Sequence, residues 1–306
     1  MTARRAPRVP PAVMRLGVRQ LGARCLDPAL PWQVQRTRLD QLSRAFLLPR
    51  GTTIAERAIA GVRAEVVSAQ GRTDPGPTVI HFHGGGYCVG SARTARSWAA
   101  HLSAAAGCRV VLPEYRLAPE HPYPAALDDA QAVMKALSAQ AQPGSIVVSG
   151  DSAGGGLALA LILSLREEGQ DLPAGCMLLS PWLDLGRDRR ADPDLVRRDV
   201  VLSPGWLEAC ARAYAAPAVW ADPSVSPLHA ALAGLPPLLI QAGTDELLAP
   251  DAELLAARAA DAGTDVTYTR WPRMWHDFVL QPGLLTAADS ALAQAAWFVG
   301  TVAAKS

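Results

Sequence analysis

The run Ser145-Ile146-Val147-Val148-Ser149-Gly150-Asp151-Ser152-Ala153-Gly154-Gly155-Gly156-Leu157-Ala158-Leu159 joins a β-branched apolar stretch to an alanine- and leucine-rich one through a serine set between glycines. The first part reads as a strand over Ser145–Ser149 and the last as a helix over Gly155–Glu168. Between them Gly150-Asp151-Ser152-Ala153-Gly154 is G-x-S-x-G, and its strand–turn–helix setting is what gives that pentapeptide meaning. So tight a turn leaves no room for side chains beside the serine, which itself takes a strained backbone conformation. The Ser152 hydroxyl is then pushed into the open at the carboxyl end of the strand, as a candidate nucleophile. The bland alternative is a Gly-Ser-rich turn with no role, and the flanking strand and helix weigh further against it.

Working outward, short β-rich runs alternate with longer amphipathic ones, the pattern of a mostly parallel sheet with helices on both faces. Strands are expected at Ala64–Val67, Thr78–Phe82, Arg109–Leu112, Ser145–Ser149, Gly175–Leu179, Leu238–Ala242 and Asp265–Arg270. Helices are expected at Ser97–Ala106, Pro124–Ala141, Gly155–Glu168, Asp251–Ala262 and Thr286–Ala304. Residues 1–50 and about 183–221 depart from the alternation. They read as helices and loops outside the sheet, an N-terminal cap segment and a cap insertion in a catalytic domain spanning 51–306.

Upstream of the elbow, the strand Thr78–Phe82 ends in His83-Gly84-Gly85-Gly86. Glycine amides can approach a developing oxyanion because no Cβ stands in the way, so Gly84 and Gly85, with the amide of Ala153, are the expected oxyanion donors. His81 and His83 share a strand face, and a metal site has to be weighed; no third ligand lies near in sequence. His83 is instead expected to hold the glycine loop. Later strands should deliver the remaining partners in the order acid, then histidine. His276 follows the strand Asp265–Arg270 and is the expected general base. Asp245 follows Leu238–Ala242 and is the expected acid, with Glu246, Asp251 and Asp277 as competitors. Asp277, next to the histidine, would normally point away, and Asp251 reads as a first-turn helix residue.

The chain has 306 residues, half of them hydrophobic, with a formal net charge of +1. It can bury a full core, and it has no strong field to draw nucleic acid or anionic lipid. Five cysteines stand without a C-x-x-C pair, which speaks against a disulfide framework. Prolines and arginines interrupt the N-terminus before a signal-peptide core can form, and no run nears the roughly 20 apolar residues of a membrane span. The reading is a soluble cytoplasmic protein acting on a small neutral molecule, with no membrane or nucleic-acid partner.

These motifs resemble the hormone-sensitive lipase family, the bacterial family IV esterases of the α/β-hydrolase superfamily. The resemblance rests on His83-Gly84-Gly85-Gly86, Tyr115-Arg116-Leu117-Ala118-Pro119-Glu120, Gly150-Asp151-Ser152-Ala153-Gly154, Ser180-Pro181-Trp182-Leu183-Asp184-Leu185, Asp222-Pro223 with Ser226-Pro227, Asp245-Glu246-Leu247 and His276. It implies an α/β-hydrolase fold with an eight-stranded, mostly parallel sheet, a helical cap, and no cofactor. Tyr115–Glu120 would then support the oxyanion loop. Leu248-Ala249-Pro250 stands where members often carry a further acidic residue. Asp277 stands where many have glycine, a trait closer to the branch containing epsilon-lactone hydrolases. The expected activity is hydrolysis of short- to medium-chain acyl esters through an acyl-enzyme, in a pocket built by Trp182, Trp206 and Tyr87. A lactonase with the same three residues is the nearest alternative, and a ligand-binding protein on a hydrolase scaffold a more distant one. A homodimer would use the edge strand Asp265–Arg270 or the last helix.

Overall fold

The computed structural model describes residues 8–69, 76–142 and 144–304. The chain runs through α1 (Pro11–Cys25), α2 (Trp32–Ser43), β1 (Thr52–Ile59), β2 (Val62–Ala69), β3 (Thr78–Phe82), α3 (Ala92–Ala106), β4 (Arg109–Pro113), α4 (Ala125–Ser138) and β5 (Ile146–Asp151). It continues through α5 (Ala153–Glu167), β6 (Gly175–Leu179), α6 (Pro193–Arg198), α7 (Pro204–Tyr214), β7 (Leu238–Gly243), α8 (Ala249–Asp261), β8 (Val266–Trp271) and α9 (Thr286–Ala303).

All eight strands form one sheet in the order β1-β2-β4-β3-β5-β6-β7-β8. β1 and β2, and β2 and β4, pair antiparallel; every pairing from β4 through β3 to β8 is parallel. Every residue of β5, β6 and β7 is buried, as expected of strands covered on both faces, and this is why they read as unbroken apolar runs. Alternate side chains go to opposite layers. Val148, Leu178 and Ile240 face α4, α5 and α8, while Val147, Met177 and Leu239 face α3 and α9.

β1 has no counterpart in the expected strands. Its residues are largely exposed, so no buried face imprints an alternation on Thr52–Ile59. It is held by its hairpin with β2, whose turn residues Ala60 and Gly61 take φ of 50° and 83°, the sign required by a two-residue hairpin turn. Another difference is the start of α3. The helix begins at Ala92, five residues before the expected Ser97, because Ser91 and Thr94 form a reciprocal capping box.

Strand order reverses between β3 and β5: β4 lies on one side of β3 and β5 on the other. Outside the carboxyl ends of two such strands a crevice opens, because their following loops diverge. The glycine loop after β3 and the elbow after β5 both lead into it. The segment before β1 and the segment between β6 and β7 are helical, giving α1, α2, α6 and α7. Gln35 of α2 accepts a hydrogen bond from the Trp206 indole of α7 at 2.9 Å, joining the two segments. All five cysteines are free and buried.

Candidate active site

The elbow is packed to the limit. A Cβ on Gly150 would lie 2.1 Å from the Gly154 carbonyl oxygen, and one on Gly154 would lie 2.0 Å from that of Phe82. Only glycine lets α5 begin immediately against β3. Ser152 sits between them at φ 52° and ψ −121°, outside the regions an L-residue ordinarily occupies. Its amide donates to Leu179 and its carbonyl accepts from Trp182, so backbone bonds on both sides hold this conformation.

Ser152 Oγ lies 3.0 Å from His276 Nε2. On the other side of the ring, Nδ1 lies 3.0 Å from Glu246 Oε2. Glu246, not Asp245, is therefore the carboxylate that meets the histidine. The turn after β7 sends the two adjacent side chains opposite ways. Glu246 is wholly buried, its Oε1 accepting the amide of Gly243 at 2.9 Å. The Asp245 carboxylate faces outward and accepts from Arg15 at 3.0 Å and Arg198 at 3.3 Å. Asp251 is occupied elsewhere, by Arg189 and the amides of Leu183 and Asp184. Asp277, expected to point away, turns back so that Oδ2 lies 3.1 Å from the same Nε2 that faces Ser152.

The imidazole is thus held between two carboxylates. Burial disfavours its charged form, but Asp277 and Glu246 outweigh this and raise the His276 pKa well above the usual histidine value. With Nδ1–H donated to Glu246, Nε2 can accept the serine proton, which is the arrangement for nucleophilic attack on a carbonyl.

The glycine loop departs in one respect from the sequence reading. Gly84 donates its amide to Asp151 Oδ2 at 2.9 Å, so this expected oxyanion donor is already engaged. The loop is pinned there because Asp151, the variable residue of the elbow, is itself fixed through Oδ1 to His81 Nε2 at 3.0 Å. Among the described residues no hydrogen bond engages the amides of Gly85, Gly86 or Ala153. These three amides have no partner among the described residues, and Gly86 is one that the sequence reading left out. His83 stacks on Tyr115 at 4.4 Å, and the Tyr115 hydroxyl donates to the His83 carbonyl at 2.6 Å, bracing the loop from beneath. No group of three metal-ligating side chains occurs among the described residues.

A cavity of about 350 Å³ reaches His276 and Asp277. Its wall is mostly apolar and comes from α1, α2 and the residues just after α2, including Met14, Val18, Leu21, Leu39 and Phe46. None of Trp182, Trp206 and Tyr87, expected to form this pocket, borders it. They are buried in the core instead: Tyr87 stacks on Tyr214 at 3.8 Å, Trp206 bonds Gln35, and the Trp182 indole donates to the Asp184 carbonyl. Their bulk reports burial, whereas the wall of this cavity is built largely from ordinary aliphatics of two helices. No helix among the described residues is long and apolar enough to cross a membrane.

Comparison with known proteins supports the fold and the family. Residues 79–280 match the alpha/beta hydrolase fold family. An acetyl-hydrolase of Streptomyces hygroscopicus is 42% identical over 202 residues, covering 66% of this chain and 68% of that one. An esterase of Acinetobacter venetianus is 38% identical over 264 residues, covering 85% and 86%. The crystal structure of an esterase from the bacterial hormone-sensitive lipase family superposes with a TM-score of 0.90 at 33% identity, covering 97% of this chain and all of the other. The chain therefore belongs to the alpha/beta hydrolase fold family, and within it to the carboxylesterases of the bacterial hormone-sensitive lipase kind.

Proposed function

We propose that this protein hydrolyses short- to medium-chain carboxylic esters, with Ser152 as nucleophile, His276 as general base and Glu246 as the acid that orients it. The observation that carries the reading is the continuous relay from Ser152 Oγ through the ring to Glu246, both contacts at 3.0 Å. Ser152 attacks the ester carbonyl as its proton passes to Nε2. The tetrahedral oxyanion meets the open amides of Gly85, Gly86 and Ala153, where preorganised donors cost no reorganisation. Nε2 then returns the proton to the departing alkoxide, leaving an acyl-enzyme. Water activated by the same ring releases the acid. Glu246 keeps the proton of Nδ1 in place throughout and stabilises the imidazolium.

The cavity supports the size limit: about 350 Å³ lies near the low end of the roughly 300–1,000 Å³ usual for small-molecule pockets. Its apolar wall suits an aliphatic acyl chain. Fluorophosphonate labelling and hydrolysis of p-nitrophenyl esters from acetate to palmitate test the reading together. Wild type should label at Ser152 and favour the shorter esters, and Ser152→Ala should lose label and on the order of a millionfold in turnover. Turnover in that variant near the wild-type level would overturn the nucleophile assignment. A seven-membered lactone cleaved much faster than any linear ester would make the protein a lactonase with the same machinery.

A further inference from the structure

We propose that Asp277 is a positioning residue for this reaction: its carboxylate lies against Nε2 of His276, stabilises the charged ring and so sets the pH range in which the enzyme works. The inference rests on the assignment of Ser152 and His276 above. Residues adjacent in sequence ordinarily direct their side chains apart. Here Asp277 takes φ 56° and ψ 27°, a left-handed conformation open mainly to Gly, Asn and Asp. Its amide donates to Ser180 Oγ at 3.2 Å, anchoring the turn from β6. The carboxylate is thereby folded back onto its neighbour, Oδ2 lying 3.1 Å from Nε2 while Ser152 Oγ lies 3.0 Å from the same atom. The other oxygen, Oδ1, is buried without a hydrogen-bond partner. The carboxylate's one strong polar contact is the nitrogen that carries the chemistry.

When Nδ1–H is donated to Glu246, a neutral ring offers Nε2 as a lone pair, and an ionised Asp277 facing a lone pair gains nothing. A protonated ring directs its Nε2–H at Ser152 Oγ and sets its positive charge 3.1 Å from Asp277 Oδ2. The pair therefore favours the imidazolium, in two places along the reaction. After attack, the proton released by Ser152 Oγ sits on Nε2, and Asp277 stabilises it until the C–O bond breaks and the proton passes to the alkoxide; Asp277 gains no proton overall. At rest, the same contact keeps Nε2 protonated and idle at lower pH, so activity should appear only as the pair releases its proton.

The charges around the pair are accounted for. His276 faces Glu246 from the loop after β7 and Asp277 on its own turn, and it also acts on Asp199, which lies just after α6. Asp277 faces His276 and is acted on by Asp151 of the elbow and by Glu246. Burial, countered by His276, raises the Asp277 carboxyl above the usual carboxylate range.

The test uses the full chain with Asp277→Asn and Asp277→Gly, both of which accept the left-handed turn, so one can stand in if the other misfolds. The rate constant kcat/KM for phenyl acetate is followed by pH-stat from about pH 5 to about 10, spanning the histidine range. In the Ser152→Ala background, ring ¹⁵N resonances report the His276 titration directly. Removing the carboxylate should move the acid limb, and the ring titration with it, downward by about one pH unit or more. A residue that merely shaped the turn would change rate or stability and leave the limb where it is. An unmoved limb, or one moved upward, in a folded variant overturns the proposal while Ser152→Ala remains inactive. Activity persisting in Ser152→Ala would instead remove the site assignment beneath it.

Discussion

Exchanging Glu246 for Gln keeps the volume and one carbonyl oxygen, and the geometry says why it should still disable the site. Glu246 spends Oε1 on the Gly243 amide at 2.9 Å and Oε2 on His276 Nδ1 at 3.0 Å. Both contacts ask for an acceptor, and glutamine has only one oxygen. If that oxygen keeps the Gly243 amide, the NH₂ group faces Nδ1 and forces its proton to Nε2. There it points at Ser152 and cannot accept the hydroxyl proton. Asp277, at 3.1 Å from Nε2, stabilises this wrong tautomer further. In the opposite orientation two donors confront each other at Gly243. Removal of the orienting acid in other serine hydrolases costs about 10⁴-fold. The same loss here, about 5.5 kcal/mol of transition-state stabilisation, is expected in kcat/KM for p-nitrophenyl acetate.

The control is Asp245→Asn, the residue one position earlier. Its partners Arg15 and Arg198 have side chains 27% and 49% exposed, so each ion pair is worth about 1 kcal/mol or less. That variant should melt slightly lower and stay within about tenfold of wild-type activity, the factor equivalent to about 1.4 kcal/mol. Both should be compared with Ser152→Ala after thermal melts show them folded. Glu246→Gln within tenfold of wild type, or Asp245→Asn as inactive as Ser152→Ala, would refute this account of the acid.

Two further outcomes probe the cavity and the α2 attachment. Val18→Trp, on the cavity wall of α1, should shift the acyl-chain profile toward acetate with little change for acetate itself; an unchanged profile would place the acyl group elsewhere. Arg36 of α2 hydrogen-bonds Glu120 and holds its carboxyl down to about 2, from an ordinary value near 4.5, against the opposing effect of burial. A depressed folded-state pKa gives stability that is present above about 4.5 and is lost as pH falls toward 2. Because the Glu120 side chain is 53% exposed, the contribution is about 1 kcal/mol or less. Glu120→Gln should therefore melt below wild type near neutrality, with the gap closing between about pH 4.5 and pH 2; a gap constant with pH would deny the pair its role.

What the sequence disclosed and what it hid divides by the range of the determining contacts. The elbow was legible because its cause is local: Gly150 and Gly154 are demanded by backbone atoms within the turn and by β3 beside it. The central strands were legible because burial on both faces leaves them continuously apolar, while β1, exposed at the edge, carried no such mark. The choice between Asp245 and Glu246 was not local. Both follow β7, both are acidic, and what separates them is Arg15, 230 positions away along the chain, drawing one carboxylate outward while Gly243 receives the other within. The pocket wall was hidden for a related reason. A large aromatic such as Trp206 can mark a core as well as a cavity, and here its indole is turned to Gln35 of α2, while smaller residues of α1 and α2 border the space beside His276.

Asp277 shows the same limit from the other side. Sequence adjacency predicted that it would avoid His276, and for a residue in the right-handed or extended regions that expectation follows from backbone geometry. One positive φ reverses it and returns the carboxylate to the neighbouring ring. The geometry of this site thus depends on two turns, at Ser152 and Asp277, in which a residue other than glycine is held at positive φ with its side chain near the same nitrogen. Strain of this kind, of order 1–3 kcal/mol per residue, persists only where surrounding contacts fix the conformation. Leu179 and Trp182 do so for Ser152, and Ser180 does so for Asp277. All three anchors lie within four consecutive residues at the end of β6, so this one short segment sets the approach of both groups to the imidazole.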